Sequence, residues 1–500
     1  VPTTLRFCAG SPGGWNTRPT DTPPNTVWRP GVLTPFHFSR ELFGGAEAGA
    51  SRIGAGEIVL ANDDGWLDVY DSEDWAFAGH PVEVLAGQDG AAIADFAVVF
   101  RGVIEEVEFS WKLVTIKIRD RQKELDKPLP IPKYLGTNVG PVGIEGGADL
   151  KGKAKPTAFG PCPGLEPVCV NESSLIYQVH FRSVQAIPAA YCNGAALTPT
   201  SDYADETALK NAALTGGQFA TCLARGLLRV ATTNGQKLTC DVQGDNVGGY
   251  AADTAGILRR LLSILGWTAT DWSEADLAAL AAKTSAPQGI YDASGAKVRA
   301  LMDAICAGPW AWYCPDRLGV MRFGRVEAPS GTPVAHFTDD YHLELERDTS
   351  DLTGAPWGLV TMRAEKNWCV QTDNGVAGSV SADRRAWLGQ EYRDATSTAD
   401  GQPDPDILAR YPLTETAGAV FTGLFTSHAD SLAESQRRAE FRGVPRRPFS
   451  QRIPTEYGQR LELGQCVALS SRRFGLSATP FTVCGIEDTD AGYVEVKYYG

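Results

Sequence analysis

Residues 58–129 constrain this 500-residue chain more than any other stretch. They alternate apolar and polar residues with the two-residue period of half-buried strands. Ile58-Val59-Leu60, Pro81-Val82-Glu83-Val84-Leu85, Val98-Val99-Phe100 and Leu113-Val114-Thr115-Ile116-Lys117-Ile118 each read as a strand. An acidic Asn62-Asp63-Asp64-Gly65 turn, the glycines at 79, 87 and 90, and a Phe100-Arg101-Gly102 break punctuate them. Residues 122–125 read as a short exit helix behind Arg119-Asp120-Arg121. The pattern predicts a meander or barrel whose surface suits pairing with copies of itself, and it holds no catalytic constellation.

The whole chain predicts a mainly β protein with an α+β middle, two barrel or sandwich domains flanking it. Residues 1–35 read as a Gly/Pro/Thr-rich arm, an inter-subunit clasp or a loosely packed terminus. Residues 36–130 form the first β domain. Residues 131–200 form a Gly/Pro-rich β insertion with a tight turn at Asn193-Gly194. Residues 201–345 form the α+β middle. It has a hairpin of 227–232 and 237–242 across Asn234-Gly235, and helices at 253–265, 276–283 and 296–307. Strands at 310–313 and 320–323 close that domain. Residues 346–500 form the second β domain, with strands at 359–364 and 368–370, an amphipathic helix at 429–442 and a turn at Asp490-Ala491-Gly492.

Charge excludes one function class. The chain carries 60 acids against 46 bases, a formal net charge of −14, where a general nucleic-acid binder needs a basic excess. An acidic wall instead repels a polyanion. No run of 18 apolar residues occurs, so no membrane anchor is expected, and the N-terminal residues lack the apolar core of a signal peptide.

Motifs for chemistry are missing. There is no G-x-S-x-G, no H-E-x-x-H, no phosphate-binding glycine motif and no EF-hand spacing. The six histidines (37, 80, 180, 336, 342 and 428) lie far apart. Asp63/Asp64 and Asp339/Asp340 read as turn residues, or as the acids of a glycosidase whose cleft sequence cannot show. The 11 cysteines contain no C-x-x-C. They read as free, mostly buried thiols of a reducing cytoplasm. A structural Fe–S cluster or disulfides through some of Cys162, Cys169, Cys192, Cys306 and Cys314 stay open. No catalytic, cofactor-binding or metal residue is assigned. Trp310, Trp312 and Tyr313 read either as a core plug or as a glycan-binding platform.

Four segments carry a resemblance to a known family. The first is Phe100-Arg101-Gly102-Val103-Ile104-Glu105 followed by Ile116-Lys117-Ile118-Arg119-Asp120-Arg121. The second is Gly152-Lys153-Ala154-Lys155-Pro156 with Gly160, then Tyr177-Gln178-Val179-His180. The third is Lys237-Leu238-Thr239-Cys240-Asp241-Val242-Gln243-Gly244. The fourth is the helix at 429–442 leading to Leu463-Gly464-Gln465-Cys466-Val467 and Val483-Cys484-Gly485-Ile486-Glu487. In this order they resemble the baseplate hub, or tail-tip, proteins of tailed bacteriophages, of siphophage and gene-transfer-agent type. The likeness spans most of residues 36–500.

The resemblance implies a structural, non-enzymatic virion protein, assembled in the host cytoplasm and placed at the tail tip. Its two flanking domains would be tube-type, so that a homotrimer closes a six-fold tail tube and lines the DNA channel without specific DNA binding. Its expected partners are the distal tail protein, the tape-measure protein and fibre or spike proteins. The alternatives are a hexameric distal tail protein, or a tail-associated cell-wall hydrolase or glycan-binding module. Interface candidates are Arg119, Asp120 and Arg121, and the basic group Arg437, Arg438, Arg442, Arg446 and Arg447. The former also reads as a solvated turn; the latter, continued by Arg452 and Arg460, reads as a nucleic-acid patch or, in so acidic a protein, as a surface pairing with an acidic neighbouring subunit or adjacent ring.

Overall fold

A computed structural model describes residues 3–42, 52–88, 90–138, 143–341, 344–347, 356–412, 419–488 and 492–500. The protein is β-rich with an α+β middle, and its largest element is an eleven-stranded sheet. Five of its strands come from the N-terminal part: β1 (Val32–Glu41), β2 (Ala55–Ala61), β3 (Pro81–Ala86), β4 (Ala97–Phe109) and β5 (Leu113–Arg119). Six come from the C-terminal part: β6 (His336–Phe337), β7 (Glu344–Arg347), β8 (Phe449–Pro454), β9 (Cys466–Ser471), β10 (Leu476–Asp488) and β11 (Tyr493–Tyr499). The path runs β7-β8-β11-β10-β1-β2-β5-β4-β3, and β9 lies on β10 beside the short β6.

The alternation seen in the sequence places every second residue in a core. Val114 and Ile118 of β5 are buried, as are Val494, Val496 and Tyr498 of β11. Phe38, Phe100 and Ile118 form one cluster under the N-terminal strands. A larger one joins Phe449, Val467, Phe481, Val483 and Ile486 to Trp310 and Phe441.

Between these strands lies the middle of the chain. Helix α1 (Thr254–Leu265) starts at Asp253, whose side chain accepts from the Gly256 N–H, and stops at Gly266 with φ 98°. Helices α2 (Glu274–Lys283) and α3 (Val298–Ala307) pack with it on the hairpin Ala311–Pro315/Met321–Arg325. Helix α4 (His428–Arg442) lies against the three-stranded sheet of Val360–Ala364, Arg393–Thr396 and Ala419–Thr422. No helix among the described residues is long and apolar enough to cross a membrane.

Two expectations fail. The Asn234-Gly235 turn, at φ 50° and 74°, does not close a hairpin. Leu227–Val230 pairs with Gln218–Cys222 and Ile176–Gln178, whereas Leu238–Asp245 pairs with Pro161–Leu165 and Val184–Cys192. Both strands are buried in their own sheets, Leu227, Leu228 and Val230 in one and Leu238, Cys240 and Val242 in the other, so the turn connects sheets. Residues 368–370 form no strand, because Asn367 folds them into a turn by accepting from the Cys369 N–H at 3.1 Å. Asn193-Gly194 does close a hairpin, Cys192 facing Ala195. His342 and the Asp490-Ala491 part of the last turn lie outside the described residues.

Candidate functional site: a seam between equivalent strand units

The two ends of the chain repeat one strand order. The N-terminal unit runs β3-β4-β5-β2-β1 and the C-terminal unit β9-β10-β11-β8-β7, with antiparallel pairing throughout. The long strands β4 and β10 both have 13 residues, β5 and β11 both have 7, and β3 and β9 both have 6. Pairing of β4 with β5 slips between Ile104 and Glu106, and pairing of β10 with β11 slips between Val483 and Gly485. The extra residues, Glu105 and Cys484, are each the ninth of their strand. A bulge of this kind bends its strand and tightens the twist.

The entry to each long strand matches too. The Gly79 N–H donates to the Ile104 carbonyl at 2.8 Å, and the Ile104 N–H to His80 at 2.9 Å. In the second unit the Gly464 N–H donates to Val483 at 2.8 Å, and the Val483 N–H to Gln465 at 2.9 Å. Gly79 and Gly464 have φ 81° and 83°, the left-handed region that glycine enters without steric cost.

The units meet edge to edge. Residues 38–41 of β1 pair with 485–488 of β10, Phe38 facing Asp488 and Glu41 facing Gly485. Just past β1, the Leu42 N–H donates to the Cys484 carbonyl at 2.8 Å. Charges are buried beneath this seam. Arg40, 6 % exposed, reaches Glu462 at 3.0 Å and donates to the Pro315 carbonyl at 3.3 Å. Arg317 approaches the other Glu462 oxygen at 3.4 Å and donates to Gly458 at 3.1 Å. Burial pushes the Asp488 carboxyl above its ordinary range, against the pull of Arg317 and Arg40. On the more open face, Lys497 bonds Glu41 at 2.7 Å, and Arg52 pairs with the same carboxylate. The Arg101 N–H donates to the Arg317 carbonyl at 2.8 Å and so ties β4 to the same cluster. This arrangement links the two strand units through backbone pairing above and buried charges below.

The candidates read from sequence fall elsewhere. Asp120 is buried, capping the turn 121–125 by accepting from the Gln122 N–H at 2.9 Å, and it also accepts from Gly54 at 2.6 Å. Arg119 pairs with Glu105 at 2.6 Å. Arg121 joins the strand unit to the middle of the chain through Asp271 at 3.0 Å and stacks over Trp267 at 4.4 Å.

The basic group of α4 and of the segment after it makes contacts within the chain, and Arg438 and Arg442 are buried. Arg438 is fully buried, bonded to Glu434 at 2.8 Å and to the carbonyls of Ala307 and Gly308. Arg437 grips Glu434 with two bonds, at 2.9 and 2.7 Å, and Arg325 joins them. Arg442, 8 % exposed, lies 4.3 Å over Trp357. Arg446 caps Phe441 and Arg447 donates to Phe474. The structure thus spends these arginines on contacts within the chain.

Trp310 and Tyr313 fill cores, as the core-plug reading of the aromatic cluster expects. Trp310 and Tyr313 are 4 % and 2 % exposed, and Trp310 packs against Trp357, Phe421 and Phe441. Trp312 lines a cleft of about 250 Å³ beside Asp276, Arg322, Lys283 and Glu327. Asp276 is bonded to Arg322 and Lys283 is paired with Glu327, and Glu462 of the seam lines the same cleft. The 11 cysteines are free thiols. No group of three or more His, Cys, Asp or Glu side chains gathers as a metal site among the described residues. Sequence reading missed Arg40, Glu462, Arg317 and Asp488, for no local pattern marks them.

No family model matches the chain, and no curated protein matches its sequence. Solved structures are similar to it over nearly its whole length. A tail protein from Neisseria meningitidis MC58 is 10% identical, with a TM-score of 0.41, covering 94% of this chain and 95% of its own. The 43 kDa tail protein of prophage MuSo2 from Shewanella oneidensis is 10% identical, with a TM-score of 0.39 and coverages of 95% and 96%. The prophage tail protein gp18 from Listeria monocytogenes EGD-e is 8% identical, with a TM-score of 0.36 and coverages of 95% and 90%.

Proposed function

We propose that this chain is a structural protein of a phage tail, and that three copies form the hub closing the tail tube at its tip. One observation carries the reading. Two units of the same strand order, with the long-strand bulge at the same residue, are bonded side by side in one sheet. Three such chains present six equivalent wall positions, which matches a six-fold ring above while keeping three-fold symmetry below. The Arg40–Glu462–Arg317 cluster supports this by linking the two units beneath the seam. The net charge of −14 suits a channel through which DNA slides without being held.

In this role the upper face meets the distal tail protein, the lumen receives the end of the tape-measure protein, and the lower face docks fibres or a spike. The test is the symmetry of the assembled tail tip and the native mass of the purified protein. Three copies are expected. Six copies would assign the chain to the distal ring instead, and clearing of purified cell wall would assign it a hydrolase role.

A further inference from the structure

Two exposed surfaces of opposite charge lie at the two ends of β5. At its start, the segment 62–77 meets the tip of the β4–β5 hairpin, where the Asn62 N–H donates to the Lys112 carbonyl at 2.7 Å. Asp63, Asp64, Asp68, Asp71, Glu73 and Asp74 are all exposed there. Among the described residues, the one ion pair these acids make is Asp63 with Lys112, at 4.0 Å. Trp66, Tyr70 and Trp75 stack edge to face, with centroids 5.6 and 4.9 Å apart. Trp66 and Trp75 are exposed, and Trp111 at the hairpin tip is 92 % exposed. Arg29 lies 3.6 Å over the Trp66 ring, so the platform already carries one cation. Aromatic surface left this open, rimmed by charge, marks a docking face.

The other surface follows the turn 121–125. Lys127-Pro128-Leu129-Pro130-Ile131-Pro132-Lys133 has a proline at every second residue. Leu129 and Ile131 pack into a core, and the three prolines are exposed. Lys127, Leu129 and Ile131 each precede a proline and are thereby held extended, so the ladder is stiff before anything binds it. Backbone bonds anchor both its ends, from the Val298 N–H to Lys127 at 2.9 Å and from the Lys155 N–H to Pro132 at 3.1 Å. The same contacts bring more lysines alongside. Lys297 bridges Pro128, and Lys151 and Lys153 lead into Ala154, which bridges Lys133. Lys127, Lys133, Lys151, Lys153 and Lys297 are exposed, and none has an ion-pair partner among the described residues.

We propose that the proline ladder of one copy docks on the acidic aromatic face of the next. The occupant is a second copy of this chain, and charge and shape both select it. Aromatic-lined faces recognise stiff proline-rich segments by stacking rings on the prolines. Prolines two residues apart in an extended chain stand about 6 Å apart, near the ring spacing of the face. The flanking lysines then meet the acids around the rings. A nucleic acid would use the lysines and leave the prolines and the acidic face idle. The 7 residues of β5, about 23 Å, separate the two surfaces, so they do not satisfy each other within one chain. One surface of each kind per chain makes the contact heterologous, and such contacts repeat until a ring closes.

The number of copies in that ring rests on the trimer reading above, and the docking contact does not. The test uses the full chain, by sedimentation. Lys133→Glu with Lys153→Glu reverses charge on the ladder side, and Asp71→Asn with Asp74→Asn removes it from the face. All four positions are exposed, so both double variants should keep the wild-type circular dichroism, and each is expected to fall to a monomer. Mixed one to one, the two should form a pair and nothing larger, because each retains one intact surface. Trp111→Ala should weaken the wild-type assembly roughly tenfold, and it decides the matter if either double variant fails to fold. A wild-type chain that stays monomeric overturns the contact. So does retention on DNA that the lysine variant loses while its mass stays that of the wild type. Three copies that all the variants leave intact remove the contact and keep the trimer. Another copy number that both double variants dissolve removes the trimer and keeps the contact.

Discussion

Arg40 of β1 and Glu462, just ahead of β9, meet at 3.0 Å beneath the line where the two strand units join. The pair is largely withdrawn from water, and Arg317 shares the same carboxylate. Removing one partner of a buried ion pair strands the other charge, which costs about 3–5 kcal/mol. Arg40→Ala is expected to lower unfolding stability by roughly 3 kcal/mol, because Arg317 still compensates part of Glu462. Chemical denaturation checks this, and a loss below about 1 kcal/mol would show that the seam rests on backbone pairing alone.

Glu434 on α4 gives an acid-range prediction. Burial alone would raise its carboxyl, but Arg437, Arg438 and Arg325 overcome that and hold it down at about 2. A carboxylate held low stabilises the fold above its unfolded value, 4.5, and the contribution disappears as pH falls toward 2. The shift corresponds to about 3 kcal/mol. Glu434→Gln should flatten the stability profile between those two pH values. It should also destabilise the protein near neutrality by roughly 3 kcal/mol, since Arg438 is left buried without its anion.

Asp120 predicts the opposite slope in a different window. Burial pushes its carboxyl up to about 7, although the N–H groups of Gly54 and Gln122 favour the charged form. The folded state then holds a proton that the unfolded chain has already released, so stability falls as pH rises from about 4 to 7. Asp120→Asn, neutral throughout, should lose that slope. Denaturant midpoints taken at about pH 5 and about pH 8 separate the two chains, and parallel profiles would remove Asp120 as the titrating group.

What the sequence discloses here is local, and what it hides is pairing. Alternation marked β4 and β5, and Asp253 with Gly266 marked both ends of α1. The duplication was invisible. Along the long strands β4 and β10 share only the glutamate of Glu108 and Glu487. Along β5 and β11 only Val114/Val494 and Lys117/Lys497 agree. A ladder is a property of the backbone, so a repeated register tolerates nearly complete change of side chains so long as the buried face stays apolar. The seam is as hidden for a different reason. Its salt bridge from Lys497 to Glu41 spans 456 residues, and no periodicity reaches that far. The arginines of α4 were legible as charge. Their burial depended on Glu434 accepting three guanidinium groups, one of them sent from Arg325, 109 residues away.

Gly79 and Gly464 offer a paired test of the repeat, because they hold the same turn in different surroundings. Both sit at φ near 80°, where an L side chain costs about 1–2 kcal/mol from its own backbone. A Cβ at Gly79 meets nothing within 4 Å, whereas one at Gly464 falls 2.5 Å from the ring carbons of Trp312. Gly79→Ala should therefore cost only the backbone strain, about 1 kcal/mol. Gly464→Ala adds the displacement of a half-buried indole and should cost roughly 3 kcal/mol. Relieving the clash with Trp312→Ala in the Gly464→Ala background should bring the increment for the glycine change back toward the Gly79 value, a coupling that a double-mutant cycle reads directly. If the increments for the two glycines differ as much without the indole as with it, the two turns are not equivalent, and the residue-by-residue match of the two strand units loses its basis.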